Sequence, residues 1–95
     1  MGRQDDKLED LRRQIDRLDE QILQLLASRM ADVRSVGQYK KGRGLPPLDE
    51  ERWQAVLQAR LDKAESLGLS KEFIAKLYRL IHEYALSIEA GSEPS

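Results

Sequence analysis

Apolar residues recur at every third or fourth position along the first part of the chain. Because a helical turn takes about 3.6 residues, this spacing places the apolar side chains on one face of a helix. The pattern predicts one long amphipathic helix from about Leu8 to about Lys41. Its apolar stripe consists of Leu8, Leu11, Ile15, Leu18, Ile22, Leu25, Val33 and Val36.

A loop and a second helix follow. The segment 42–47 holds two glycines and two prolines, which cannot continue a helix. Asp49 is a suitable N-cap for the next helix, and Glu50 and Glu51 then lie in the first turn, where the helix dipole favours negative charge. This helix should end at Gly68. It carries the apolar residues Trp53, Val56, Leu57, Leu61 and Ala64.

A third helix should begin after Ser70, which can serve as its N-cap, and end before Gly91. The sequence thus predicts an all-α domain of three helices over residues 8–90, with flexible tails at 1–7 and 91–95. The apolar stripe of the third helix contains Phe73, Ile74, Leu77, Tyr78, Ile81, Ala85 and Ile88.

The length of the first helix bears on assembly. At about 1.5 Å per residue it would be about 50 Å long, more than two shorter helices can cover in a compact bundle. Part of its apolar stripe would then face water in a monomer. We therefore expect a homodimer in which two long helices run side by side and each chain completes the other's core. An extended monomer is the alternative.

The composition narrows the chemistry. Charged residues make up 35% of the chain with a net charge of -1, so no basic face for nucleic acid is indicated. There is no cysteine and one histidine, and we expect neither a metal site nor a cofactor. The chain has no apolar run long enough for a membrane span and no secretion signal at residues 1–7. We expect a cytoplasmic protein without a membrane partner.

Arg29 interrupts the apolar stripe of the first helix. It lies four residues after Leu25 and four before Val33, where an apolar residue would be expected. A buried cation without a partner is unfavourable, so Arg29 is a candidate for binding an anion. Alternatively, its side chain reaches past the stripe to water or pairs with Asp32.

Three further cations are candidates for the same site. Lys40 lies eleven residues after Arg29, about 20° around the helix and about 16 Å along it, so both side chains could reach one small anion. Arg12 lies about 25 Å before Arg29 and could serve only the site of a partner chain. Arg52, just after the loop, could fold back over Lys40. Arg12 and Lys40 could also be ordinary solvated residues.

These residues carry a resemblance to a known family. The chain resembles the AroQ-class chorismate mutases from Leu8 to about Glu89, and several charged positions agree at long separations. The motifs are Leu11-Arg12-x-x-Ile15-Asp16-x-Leu18-Asp19-x-x-Ile22-x-x-Leu25-Leu26-x-x-Arg29, Val36-Gly37-x-x-Lys40 and Pro46-x-x-Asp49-x-x-Arg52.

The resemblance implies a three-helix protomer, an intertwined homodimer with two shared active sites, and conversion of chorismate to prephenate without a cofactor. It implies that Arg29, together with Arg12 of the partner subunit, binds the two substrate carboxylates. Lys40 would donate a hydrogen bond to the ether oxygen. Arg52 would add to the anion-binding group, and the backbone amide of Asp49 would lie near the ring hydroxyl.

Three positions depart from the family pattern. Trp53 replaces a glutamate that contacts the ring hydroxyl, and Ala85 replaces a serine near a carboxylate. Glu89 replaces a glutamine that donates to the ether oxygen, and a glutamate can donate only when protonated. We expect Glu89 to be catalytic in its neutral form, or else to be a surface residue near a helix end. Trp53 and His82 are expected to be a packing residue and a helix-surface residue, respectively.

Other functions stay open on the same residues. An isochorismate-pyruvate lyase uses a similar cationic pocket, and a 4-amino-4-deoxychorismate mutase would fit the missing glutamate at Trp53. Outside catalysis, the chain could be a helical dimerisation or regulatory module that binds a metabolite without turnover. It could also be one domain of a larger shikimate-pathway enzyme.

Overall fold

Three helices account for most of the chain in a computed structural model, which describes residues 3–91. They are α1 (Arg3–Gly42), α2 (Glu50–Ser66) and α3 (Lys71–Glu89), and residues 3–91 contain no strand. The predicted all-α class and the number of helices are confirmed. Within the same residues, none of the helices combines the length and apolarity needed to cross a membrane.

The first helix begins earlier than the apolar pattern predicts. α1 starts at Arg3, so residues 3–7 are helical and do not precede the helix as expected. Asp5 and Asp6 lie in its first turn, where negative charge interacts favourably with the helix dipole. The helix therefore extends back beyond its first apolar residue. Of the expected tails, residues 1, 2 and 92–95 lie outside the described residues, and the domain limits stay a prediction.

Side-chain caps fix the starts of the other two helices as predicted. An Oδ1 oxygen of Asp49 accepts a hydrogen bond from the Arg52 amide at 3.0 Å. The Ser70 hydroxyl accepts one from the Phe73 amide at 3.1 Å. Each cap satisfies a backbone N–H that has no partner inside its helix.

The chain divides into two compact units, residues 1–31 and 32–95. In the first unit, the apolar stripe of α1 is exposed. The exposed fractions of its members range from 44% to 70%, so little of this surface is covered. Arg29 and Met30 are the more protected residues at the end of the unit, and Met30 is buried. The stripe members in this unit are Leu8, Leu11, Ile15, Leu18, Ile22 and Leu25.

In the second unit, α2 packs against α3. The indole of Trp53 on α2 stacks on the imidazole of His82 on α3, with ring centroids 3.9 Å apart and planes 5° from parallel. Trp53 is therefore a packing residue, as predicted, whereas His82 is half-buried and not a helix-surface residue. The buried side chains in α2 and α3 are Ala64, Ile74, Ala85 and Ile88.

The turn that follows α1 reverses the chain. Gly44 has a φ of 68°, a left-handed conformation that a side chain would disfavour. The amide of Leu45 donates to the Lys40 carbonyl at 2.8 Å and so satisfies one carbonyl of the last helical turn. The segment 45–47 consequently returns toward the end of α1.

Candidate active site

Lys40 is the centre of a polar cluster in the second unit. Its Nζ donates to Glu89 Oε1 at 2.6 Å and to the Pro47 carbonyl at 2.7 Å. The Lys40 and Glu89 side chains are 21% and 12% exposed, so the pair is largely withdrawn from water. The structure thus brings together two of the residues expected at the site, Lys40 and Glu89, which are 49 positions apart in the sequence.

Local structure explains how the three groups meet. Lys40 lies in the last turn of α1, and the reversal at Gly44 carries the Pro47 carbonyl back to its ammonium. Glu89 is the last residue of α3, one position before the C-cap Ala90. The site is therefore held by a helix end, a turn and a second helix end. A charged donor held by two acceptors in this way has little rotational freedom left.

A cleft of about 500 Å³ opens beside this cluster. Three cations and one carboxylate lie in its wall, which gives it a positive balance. A pocket of this size and charge suits a small anionic molecule. The lining includes Arg34, Gly37, Lys40, Lys41, Pro47 and Glu89.

Arg29 lies in the first unit, and its guanidinium has a nitrogen that the described residues leave unsatisfied. Its Nη1 is buried and, among the described residues, has no hydrogen-bond partner. A buried donor left unsatisfied is unfavourable, more so on a charged group. Pairing with an acidic neighbour such as Asp32 does not satisfy this nitrogen. Arg29 is therefore the residue whose environment most clearly calls for an anion.

Arg12 is exposed and forms an ion pair with Glu9 at 3.1 Å. Exposed pairs of this kind contribute little to stability, so Arg12 can exchange Glu9 for another anion at small cost. Arg52 is also exposed. Asp49 acts as the cap of α2. The expected substrate roles of Arg12, Asp49 and Arg52 stay predictions.

Two residues of the site were given no role from the sequence. The Pro47 carbonyl accepts a hydrogen bond from Lys40, but every residue has a main-chain carbonyl, so the residue type does not indicate this contact. Gly37 is buried inside α1 and lies against Glu89. The sequence could have indicated this contact, because a glycine in the middle of a helix usually has a packing reason.

Neither unit offers the ligands of a metal site within residues 3–91. No group of three or more His, Cys, Asp and Glu side chains is close enough together there to hold an ion. The polar chemistry of the described site therefore comes from arginine, lysine and a glutamate.

Comparisons with known proteins agree with this chemistry. The chain is 44% identical over 72 residues to the T-protein of Haemophilus influenzae, a match that covers 76% of this chain and 19% of that protein. It is 34% identical over 87 residues to a protein of Aquifex aeolicus named bifunctional chorismate mutase/prephenate dehydratase, covering 88% of this chain and 24% of that protein. The chain thus spans about a fifth to a quarter of these relatives.

A third relative is similar in length. The isochorismate pyruvate lyase of Pseudomonas aeruginosa is 37% identical over 78 residues, which cover 81% of this chain and 76% of that protein. Residues 11–90 match the sequence profile described as chorismate mutase type II, and they include all three helices except the start of α1. The chain therefore belongs to the chorismate mutase type II family.

Proposed function

We propose that this chain catalyses the rearrangement of chorismate to prephenate in aromatic amino acid biosynthesis. The observation that carries the proposal is the buried Nη1 of Arg29, which has no partner among the described residues. A chorismate carboxylate would supply the missing acceptor as a charge-assisted hydrogen bond. Membership of the family supports the same substrate class.

The reaction makes few chemical demands on the protein. Within one molecule, the ether C–O bond breaks while a new C–C bond forms, so no nucleophile and no proton transfer is required. The protein has to hold the substrate in its folded, diaxial conformer. Cations that bind both carboxylates do this and thereby remove part of the entropic barrier.

Lys40 acts on the charge that develops during the reaction. Negative charge grows on the ether oxygen as the C–O bond breaks, and a fixed donor stabilises that charge more than the ground state. Lys40 is suited to this role because its ammonium is held by Glu89 and Pro47 and is only 21% exposed. Glu89 Oε1 lies 2.6 Å from the same ammonium and fixes the position from which Lys40 can donate.

The proposal includes an intertwined homodimer with shared sites. The exposed stripe of α1 supports it, because an apolar surface of this kind is usually covered by a partner. A second copy of the chain would cover it and bring Arg12 to the site of its partner. In the described part of the chain, the ion pair of Arg12 is with the exposed Glu9, so Arg12 is available for that purpose. A cytoplasmic location is also part of the proposal.

Isochorismate cleavage is the second candidate. It is favoured by the 37% identity to the Pseudomonas aeruginosa lyase, of which this chain covers 76%. The two reactions start from similar dianions and would use the same cations. They differ in the products, since the lyase reaction releases pyruvate.

A direct assay tests the proposal. The protein is incubated separately with chorismate, isochorismate and 4-amino-4-deoxychorismate. Because a rearrangement leaves the mass of the molecule unchanged, the products are separated by liquid chromatography and identified by NMR. Prephenate from chorismate at a saturable rate is expected, and the Arg29→Ala variant is the matched blank. Pyruvate from isochorismate, without prephenate from chorismate, would replace the proposal with the lyase. Binding without consumption of any of the three would indicate a non-catalytic module.

A further inference from the structure

Gly37 occupies a position where glycine is intrinsically unfavourable. It lies inside α1, five residues before the helix ends, and it is buried. In a helix interior, glycine is less stable than alanine because it loses more backbone freedom on folding. The backbone at Gly37 does not require glycine either, since the positive φ values occur at Gly44, Gly68 and Gly91. A reason for glycine must therefore come from what lies against it.

The end of α3 lies against Gly37. A Cβ added at Gly37 would be 2.9 Å from the Cα of Glu89, a separation that real Cβ atoms essentially never show. The same Cβ would be 3.4 Å from Cγ and 3.5 Å from Cβ of Glu89. The tightest contact is with backbone, which cannot rotate away as a side chain can. An alanine would therefore push the last turn of α3 away from α1.

Lys40 follows Gly37 by three residues and lies on the same face of α1. The residue that contacts Gly37 is also the residue whose carboxylate holds the Lys40 ammonium at 2.6 Å. We propose that Gly37 is a positioning residue for the Lys40–Glu89 pair. Its missing side chain allows the α3 backbone to come close enough for Glu89 to hold Lys40.

The structural part of this inference concerns only residues 37, 40 and 89, whereas its catalytic part rests on the proposed function. If the α3 backbone at Glu89 moves away from Gly37 to relieve this overlap, the carboxylate that accepts from Lys40 at 2.6 Å moves with it, and the hydrogen bond is lost once the separation exceeds its normal range. Lys40 then keeps the Pro47 carbonyl but loses the carboxylate that orients it. The positive charge of Lys40 then remains in the cleft, but its position is less well defined.

Chemical labelling tests the structural part. Trace acetic anhydride is added to the folded protein, and acetylation of each lysine is quantified by tandem mass spectrometry. In Gly37→Ala, Lys40 should be acetylated about fivefold faster than in wild type, because a charge-assisted hydrogen bond is weakened. Glu89→Ala gives, for comparison, the acetylation rate of Lys40 when the carboxylate is absent. Lys41, Lys63 and Lys71, all exposed, are internal references and should not change.

Gly42→Ala is the matched control. It adds the same methyl group to the same helix, but nothing lies within 4 Å of that position. Lys40 should be acetylated at the wild-type rate in this variant. An unchanged Lys40 rate in Gly37→Ala would overturn the proposal. So would an equal rise at all lysines, or a loss of helical content absent from Gly42→Ala, since both indicate general loosening.

Kinetics test the catalytic part. With chorismate, kcat of Gly37→Ala should fall about tenfold while KM changes by less than about twofold, because orientation and not binding is disturbed. In a Glu89→Ala background, Gly37→Ala should have no further effect on kcat. The same tenfold loss in both backgrounds would show that Gly37 acts independently of Glu89 and would overturn the proposal. If no variant, wild type included, converts chorismate, the proposed function fails while the labelling still decides the role of Gly37.

Discussion

The two units carry apolar stripes of the same helical spacing but differ in what covers them. In residues 3–31, the stripe of α1 is between 44% and 70% exposed. In residues 32–91, α2 packs on α3, and Ile74, Ala85 and Ile88 of the α3 stripe are buried. The second unit thus has a core of its own, whereas the apolar stripe of the first is exposed in the single chain.

The cations differ in the same way. Lys40 in the second unit has two acceptors within 2.7 Å, both from its own unit. Among the described residues, the buried nitrogen of Arg29 in the first unit has no partner, and the ion pair of Arg12 is with the exposed Glu9. The difference indicates that Lys40 is oriented by groups of its own unit, whereas the Arg29 nitrogen has no acceptor among the described residues.

The sharpest test removes one cation from each unit. Arg29→Ala and Lys40→Ala should each lower kcat/KM by about a hundredfold to a thousandfold, the loss typical of one electrostatic donor in a closed site. Helical content should be unchanged, because neither side chain is part of an apolar core. Lys76→Ala is the control, since Lys76 is exposed and its ion pair with the also exposed Glu72 is long, at 3.5 Å. Parallel loss of fold and rate, measured by circular dichroism and steady-state kinetics, would contradict an electrostatic role.

A charge in the stripe of α1 tests the assembly. Leu18→Glu should weaken self-association by about tenfold to a hundredfold, because burial of a leucine stabilises by about 1.5–3 kcal/mol. Sedimentation equilibrium gives the dissociation constant. Gln24→Glu is the control, since it introduces the same charge on the opposite face of the helix. A wild-type protein that is monomeric at working concentration would refute the proposed dimer.

Mixed dimers test whether the two chains share a site. Arg12→Ala and Arg29→Ala should both be inactive alone. After subunit exchange in equal amounts they should recover about a quarter of wild-type activity, because half of the dimers are mixed and one of their two sites keeps both arginines. Mass spectrometry of differentially labelled chains confirms the exchange. Exchange without recovery would exclude a site built from two chains.

Glu89 tests the second unit alone. Glu89→Ala removes the acceptor that holds Lys40 and should lower kcat with chorismate about tenfold, because the ammonium loses its orientation. Glu89→Gln keeps an oxygen that can accept from the ammonium and should retain more of the rate. Steady-state kinetics of both variants measure the difference. Equal losses in the two variants would mean that the hydrogen bond to Lys40 does not carry the effect.

The fold was largely predictable because its determinants are local. The caps at Asp49 and Ser70 and the end of α1 near residue 42 follow from short-range chemistry, and all were found as predicted. The start of α1 was placed too late, because an apolar stripe marks only the part of a helix that has an apolar face, and a polar turn can precede it. Nor does spacing tell which stripe is covered by the same chain, since α1 and α3 have the same period.

The site was predictable only in part. Arg29 was identified from its place in the stripe, and Lys40 was singled out by its position relative to Arg29. The contact of Gly37 with Glu89 joins residues 52 positions apart and depends on how two helix ends meet, which no local pattern encodes. The Pro47 carbonyl was missed because every residue has one. Trp53 was expected to pack, but its stacking on His82 required the geometry of α2 and α3.

The smallest effect concerns the internal stability of the second unit. Ser70→Ala removes the hydroxyl that accepts from the Phe73 amide and should lower the free energy of unfolding by about 1 kcal/mol. Ser66→Ala is the matched control on the preceding helix. Its hydroxyl donates to the Lys63 carbonyl and caps no free amide, so its loss should be nearly neutral. Urea unfolding at one protein concentration measures both, and an equal loss in the two variants would mean that the Ser70 cap does not hold α3 in place.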